Sequence, residues 1–168
     1  MSNENKRKQR FCKILLEEAK IRKTLKENPS LDEPSRKHIE AIVDYQYLPD
    51  NHSSRTSSAY QKLHNPVMSL EAEKLIKSSK NFKEFHSKTT NEHQNPAANI
   101  WKWIYDNCET LTWKDVEKYI DSYSLVTVTK EENERLKKTK NIIGDPKKRY
   151  EETSIDVRRL EKPPKDFF

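Results

Sequence analysis

The sequence predicts a mainly α-helical protein of the α+β class, in which a small strand–strand–helix unit is attached to a helical domain. Three observations lead to this prediction. Apolar residues recur at helical spacing over much of the 168-residue chain. One later stretch, residues 125–129, alternates as a strand does. The only glycine is Gly144, so few tight turns can use a positive φ, and a fold of many β-hairpins is disfavoured.

The composition limits both the core and the chemistry. Hydrophobic residues make up 32% of the chain and charged residues 36%, which predicts one modest core with polar extensions or a partner chain. Three Trp, seven Tyr and five Phe supply large core side chains and argue against general disorder. A single glycine excludes the Gly-rich loops of P-loop and dinucleotide-binding proteins.

The N-terminal third is expected to hold two helices and a surface loop. The first helix should run from about Lys6 to Glu27, with an inner face formed by Phe11, Ile14, Leu15, Ile21 and Leu25. The second should begin near Pro34 and bury Ile39, Ile42, Val43 and Tyr47. Residues 50–66, rich in Ser, Asn and His, are predicted to be a loop.

Capping residues mark the following helices. Ser69 should cap a third helix, and Pro96 should open a helix that buries Ile100, Trp101 and Ile104. Thr112 and Asp115 have the spacing of a capping box, as do Thr129 and Glu132. Each pair therefore predicts the start of a helix.

Two short strands complete the predicted unit. Residues 88–93 are expected to form a short strand that ends at His93, and the alternating residues 125–129 a second strand. The helix that begins after Thr129 carries Asn133 on its first turn. Residues 141–168 are expected to be a basic, partly ordered tail. Four apolar residues could dock it on the rest of the protein: Tyr150, Ile155, Val157 and Leu160.

The charge distribution suggests a polyanionic partner. The net charge is +6, with nine Lys or Arg in residues 1–30 and seven in residues 135–149. Such clusters favour nucleic acid or an acidic membrane surface, although Lys-rich helix faces also serve solubility. No apolar run is long enough to span a membrane, and no signal peptide precedes Cys12 and Cys108. We therefore expect a soluble cytoplasmic protein with reduced thiols.

A carboxylate, a histidine and a proline form the motif with the most chemical content. It reads Glu92-His93-Gln94-Asn95-Pro96 and is followed by Val126-Thr-Val-Thr-Lys-Glu-Glu-Asn133 and later by Arg149-Tyr150. This order resembles the ββα-metal, or HNH, endonucleases, and most closely small bacterial proteins of the restriction-endonuclease type. The resemblance covers about residues 66–160 and leaves out the N-terminal helices.

The resemblance implies a metal-dependent nuclease with defined roles. His93 would be the general base, because a neutral imidazole can take a proton near pH 7. Glu92 and Asn133 would bind one divalent cation, Mg²⁺ or Mn²⁺, through hard oxygen ligands. Neighbouring strand residues point to opposite faces, so a bend at the strand end would have to bring Glu92 and His93 to one site.

The nuclease hypothesis divides the chain into an N-terminal helical region (1–65), a nuclease core (66–140) and a basic tail (141–168). The expected partner is double-stranded DNA, and a homodimer would let two sites cut both strands. The residues expected to contact it are Arg55, Arg135, Lys137, Lys138, Lys147, Lys148 and Arg149. Two other hypotheses tolerate the loss of His93: a non-catalytic nucleic-acid-binding protein and a phage or bacterial inhibitor that acts by protein interaction.

Overall fold

The computed structural model describes residues 3–44, 58–139 and 145–168. In chain order its helices are α1 (Asn3–Thr24), α2 (Glu33–Asp44), α3 (Ser58–His64), α4 (Leu70–Ser78), α5 (Phe82–Lys88), α6 (Ala97–Asn107), α7 (Trp113–Asp121), α8 (Lys130–Lys137) and α9 (Pro146–Glu152), and a 3-10 turn spans Pro164–Phe167. Its strands are β1 (Val67–Ser69), β2 (Thr89–His93), β3 (Leu125–Thr129) and β4 (Val157–Arg159). The predicted mainly α, α+β fold class is confirmed.

The elements form two compact units that are interleaved along the chain. The described residues within 1–45 and 95–123 form the first, and those within 46–94 and 124–168 form the second. The predicted segments follow the order of the motifs instead, so their boundaries differ from those of the units. Within the described ranges no helix has the length and apolar character needed to cross a membrane.

The first unit is helical, and its long N-terminal helix corrects one prediction. Helix α1 buries Cys12, Leu15, Leu16 and Ala19. Ile14, Ile21 and Leu25, predicted on the inner face, are 37%, 53% and 62% exposed. Apolar residues lie on two sides of this helix, so periodicity alone did not identify the buried side.

The other three helices of this unit follow the sequence closely. Helix α2 buries Ile39, Ile42 and Val43 as predicted, whereas Tyr47 lies outside the described residues. In α6 the fully buried Trp101 donates a hydrogen bond from Nε1 to the Pro29 carbonyl at 2.8 Å. The capping box that starts α7 has both of its predicted hydrogen bonds.

The second unit is built on a sheet of order β2-β3-β1-β4. Strand β2 pairs antiparallel with β3, β1 pairs parallel with β3, and β4 pairs antiparallel with β1. The predicted loop 50–66 is wrong over Ser58–His64, which form α3, and β1 was not predicted. Strand β1 has three residues and is held by partners on both sides, which no local pattern reports.

The C-terminal segment is part of this second unit. Tyr150 on α9 and Ile155 pack with Val126, Val128 and Leu136 in one core cluster. Strand β4 then extends the sheet through its antiparallel pairing with β1. The prediction that Tyr150 and Ile155 dock this segment is therefore confirmed.

Two helix starts in the second unit share one buried carboxylate. Ser69 Oγ donates to Glu132 Oε2 at 2.5 Å, and the Thr129 backbone N–H donates to the same oxygen at 2.8 Å. Ser69 Oγ also accepts from the Ala72 backbone N–H at 3.1 Å and so caps α4. Glu132 is only 2% exposed, so water does little to replace these partners.

We expect Ser69→Ala to lower the free energy of unfolding by about 2–4 kcal/mol, the sum of a lost helix cap and a buried carboxylate left short of a donor. Urea denaturation followed by circular dichroism measures it. The control is Ser87→Ala, since Ser87 is exposed and its hydroxyl donates to the Glu84 carbonyl of its own helix. A Ser69→Ala loss no larger than the control's would contradict this account of the shared carboxylate.

A buried lysine couples the stability of the second unit to pH. Lys62 on α3 is 2% exposed, and its Nζ donates to the carbonyls of Thr89 at 2.6 Å and His86 at 3.2 Å. Burial, followed by the positive charge of Lys130, lowers the pKa of Lys62 from 10.5 to about 8. The folded protein therefore holds this proton less tightly than the unfolded chain does.

Stability from this group should rise as pH increases from about 8 toward 10.5, because the unfolded chain binds more protons in that window. Lys62→Met removes this titrating group. Between pH 7.5 and 9.5, the free energy of unfolding of wild type should therefore rise by about 2 kcal/mol relative to that of the variant. Urea denaturation at several pH values measures the shift. The exposed Lys83→Met serves as control, and a pH-independent Lys62→Met difference would contradict the expectation.

Candidate functional site

The predicted strand–strand–helix unit is present in the second unit. Strand β2 spans Thr89–His93, against the predicted 88–93, and β3 spans Leu125–Thr129 as predicted. Helix α8 follows β3 without a break, because the Thr129 side chain accepts from the Glu132 backbone N–H in a complete capping box. The local signals for these three elements are thus confirmed.

Glu92 points toward the face of the sheet that α8 and α9 cover. In the β2–β3 register Glu92 lies opposite Val126, which packs with Tyr150 in the core cluster of this face. Directly paired residues in an antiparallel sheet point to the same face. Arg149 Nη2 donates to Glu92 Oε1 at 2.9 Å from α9, which brings together residues 57 positions apart.

His93 is the last residue of β2 and belongs to the opposite face. It pairs with Leu125, and its strand neighbour two residues earlier, Asn91, donates to Gln61 Oε1 on α3 at 3.1 Å. Strand alternation places Asn91 and His93 on this same face. Residues 94 and 95 form a bend directly after His93, and the Ser124 backbone N–H donates to Gln94 Oε1 at 3.1 Å.

Asn133 lies on α8, the helix that packs against β2 and β3 on the Glu92 face. Its side chain is half-buried and makes no hydrogen bond to a residue in the described ranges. The neighbouring Glu132 is engaged by Ser69 and Thr129, so Glu132 serves the fold. Asn133 therefore lies on the helix that covers the Glu92 face, and its side-chain amide is unbonded among the described residues.

A metal ion at this place would depend on few protein ligands. Among the described residues no group of three or more His, Cys, Asp or Glu could hold a metal ion. The predicted set is smaller: the Glu92 carboxylate, whose Oε2 accepts no hydrogen bond from the described part of the chain, and the Asn133 amide oxygen. Mg²⁺ commonly uses one or two carboxylates and completes its shell with water and substrate phosphate. One carboxylate oxygen and one amide oxygen match that donor chemistry.

The predicted nucleic-acid contacts fall into three groups. Arg55 lies outside the described residues. The exposed ones are Arg135, Lys137, Lys138, Lys147 and Lys148, of which Lys137 pairs with Glu134 and Lys148 approaches Glu152 at 3.9 Å. Arg149 is buried, with a side chain 3% exposed and turned to Glu92. Five of the seven therefore present charge to solvent on α8, its C-terminal end and α9.

A separate cleft of about 590 Å³ lies at the start of α8. Its lining includes Lys74, Lys88, Lys130, Glu131 and Arg135. Glu92, His93 and Asn133 do not line it. The cleft and the predicted catalytic residues are therefore different places in the second unit.

Comparison with models of protein families, with curated proteins and with solved structures returns no match. The likeness to HNH endonucleases thus stays a prediction from the motif residues.

Sequence reasoning missed three polar residues around the unit. Asn91 shares the His93 face, and the period of two along a strand would have identified it. Gln61 and Lys62 are buried against β2 from a segment predicted to be a loop, and no local signal marks them. Their positions follow from the packing of α3 against β2, which only the tertiary structure reveals.

Proposed function

We propose that the protein is a metal-dependent endonuclease that hydrolyses phosphodiester bonds, with double-stranded DNA as substrate and a cytoplasmic role in restriction or host defence. One observation carries the proposal. Strand β2 ends in Glu92-His93 and pairs antiparallel with β3, which continues directly into α8 with Asn133. This order of elements is the one that the resemblance to HNH endonucleases implies, and it supports the proposal for that reason.

Glu92 and Asn133 would hold Mg²⁺ or Mn²⁺, which when bound stabilises negative charge on the phosphate and on the leaving oxygen. His93 accepts the proton of the attacking water. The water oxygen forms a bond to phosphorus while the bond from phosphorus to one ester oxygen breaks. The leaving oxygen takes a proton from solvent, so the products are a phosphate monoester end and a hydroxyl end.

The proposed site is the end of β2. The structure leaves Glu92 and His93 on opposite faces of β2, since the bend comes only at residues 94 and 95, so a shared substrate phosphate would have to lie across the end of the strand. The exposed Lys147 and Lys148 on α9 add positive charge near the residue that pairs with Glu92. A homodimer would place two such sites on one duplex.

A non-catalytic nucleic-acid-binding protein is the second candidate. It is favoured by the Arg149 contact to Glu92, which gives that carboxylate a structural partner without any metal. The exposed basic residues would serve such a protein equally well. In this case the affinity for DNA falls steeply with salt, yet no strand is cut.

The experiment is a cleavage assay with purified wild-type protein on plasmid and on labelled duplex, single-stranded DNA and RNA, with Mg²⁺, Mn²⁺ or EDTA. The proposal predicts cutting of duplex DNA that EDTA stops and added metal restores. Salt-sensitive binding without cutting on every substrate would favour the second candidate. If the protein neither binds nor cuts nucleic acid, protein interaction becomes the better account.

A further inference from the structure

Arg149 holds one oxygen of the Glu92 carboxylate and leaves the other open. The contact joins Nη2 to Oε1 at 2.9 Å, and Glu92 Oε2 accepts no hydrogen bond from a residue of the described ranges. The two side chains differ in exposure, at 3% for Arg149 and 20% for Glu92. The unbonded oxygen, Glu92 Oε2, therefore belongs to the more exposed of the two side chains.

The fold fixes Arg149 in place from two directions. Its neighbour Tyr150 packs in the core with Val126 and Leu136, and Asp145 caps the start of α9 by accepting from the Lys147 backbone N–H at 2.9 Å. The backbone next to Arg149 is thus held by a core side chain on one side and by the helix cap on the other.

The guanidinium has no other ionic partner within the described residues. Its Nε and Nη1 are buried and make no hydrogen bond there, so the one charge contact of this side chain is to Glu92. A buried arginine with one carboxylate partner holds that carboxylate firmly, since losing the contact would leave the charge uncompensated. Sequence reasoning assigned Arg149 to phosphates or bases, whereas its burial points it inward.

We propose that Arg149 is a positioning residue that orients Glu92 as a metal ligand, an inference that rests on the proposed nuclease function. Carboxylate ligands in metal sites are commonly held by a hydrogen bond to their second oxygen, and loss of such a partner typically lowers metal affinity or activity about 10–100-fold. Arg149 acts through Glu92 and does not touch the substrate.

The test measures metal binding apart from cleavage. Mn²⁺ alone is titrated into wild type, Arg149→Met and Arg149→Lys, and free Mn²⁺ is read by electron paramagnetic resonance. We expect Arg149→Met to weaken Mn²⁺ binding about 10–100-fold and Arg149→Lys to weaken it less, because lysine keeps the charge but not the planar fork. DNA affinity should stay within about threefold, since a buried side chain makes no phosphate contact.

Arg158→Met is the matched control, because Arg158 is an exposed arginine that pairs with Asp156 at 2.9 Å. Circular dichroism shows whether each variant is folded. If Arg149→Met does not fold, the Mn²⁺ affinity of Arg149→Lys tests the inference in its place. Wild-type Mn²⁺ affinity in the folded Arg149 variants would overturn the inference. So would loss of DNA affinity with unchanged Mn²⁺ binding, which would return Arg149 to phosphate contact.

Failure of the proposed function gives a different result. Wild-type protein would then neither cut nucleic acid nor bind Mn²⁺ in a way that Glu92→Gln weakens, and the role of Arg149 would fall with it. If wild type cuts and Glu92→Gln loses metal while the Arg149 variants keep it, the nuclease stands and only the positioning role is wrong.

Discussion

Glu92→Ala is expected to lower the free energy of unfolding by about 3–5 kcal/mol, because it leaves a buried guanidinium without its carboxylate. The Arg149 side chain is 3% exposed, and Nη2 is its one bonded nitrogen within the described ranges. Arg149→Met should cost less, since the 20% exposed Glu92 carboxylate can recover water when its partner is removed. Urea denaturation in EDTA measures both changes without any contribution from metal.

The double variant and a surface pair make this expectation specific. Glu92→Ala with Arg149→Met should be more stable than Glu92→Ala alone by about 1–3 kcal/mol, since no uncompensated charge remains. Asp106→Ala, which breaks the exposed pair with Lys102 on α6, should cost about 0.5 kcal/mol or less. Equal losses for Glu92→Ala and Asp106→Ala would show that burial of Arg149 has no energetic consequence.

The second large effect is on catalysis. His93→Ala should slow cleavage about 10²–10⁴-fold, the usual contribution of a positioned general base. DNA affinity should change less than about threefold, because phosphate contacts from the exposed lysines carry the binding. The variant should also fold normally, since His93 lies at a strand end next to a bend.

Single-turnover cleavage with protein in excess over labelled duplex separates this effect from weak binding. His38→Ala is the matched control, a half-buried histidine of the helical unit whose ring lies 4.8 Å from that of Phe11. It should cut at the wild-type rate. If His93→Ala cuts as fast as His38→Ala, His93 is not the base and the site assignment is wrong.

The sequence predicted those parts of this protein that short-range chemistry determines. Ser69, Thr112 and Thr129 each bond the backbone N–H three residues on, and each helix begins where its cap indicates. Strand β3 has four β-branched residues after Leu125, and its bounds were predicted to the residue. The candidate residues Glu92, His93 and Asn133 also lie on the predicted elements.

Long-range contacts account for what was missed. Strand β1 has three residues and exists because β3 and β4 pair with it from both sides. The contact between Glu92 and Arg149 spans 57 residues, and no spacing rule relates them. In α1 the apolar residues fall on two sides of the helix, so only the neighbouring helices decide that Leu15 is buried and Ile21 exposed. The sequence pattern alone therefore predicts neither the short strand, nor this contact, nor the buried side of α1.

The central claim is that His93 acts as the base of a metal-dependent phosphodiester cleavage. The most direct test is chemical rescue: His93→Gly protein in single-turnover cleavage of duplex DNA with Mg²⁺, with and without added imidazole. We expect negligible cutting without imidazole and a cleavage rate that rises with imidazole concentration. No cutting is expected in EDTA. Wild-type cutting by His93→Gly without imidazole would contradict the claim, as would no cutting by wild-type protein with any divalent metal.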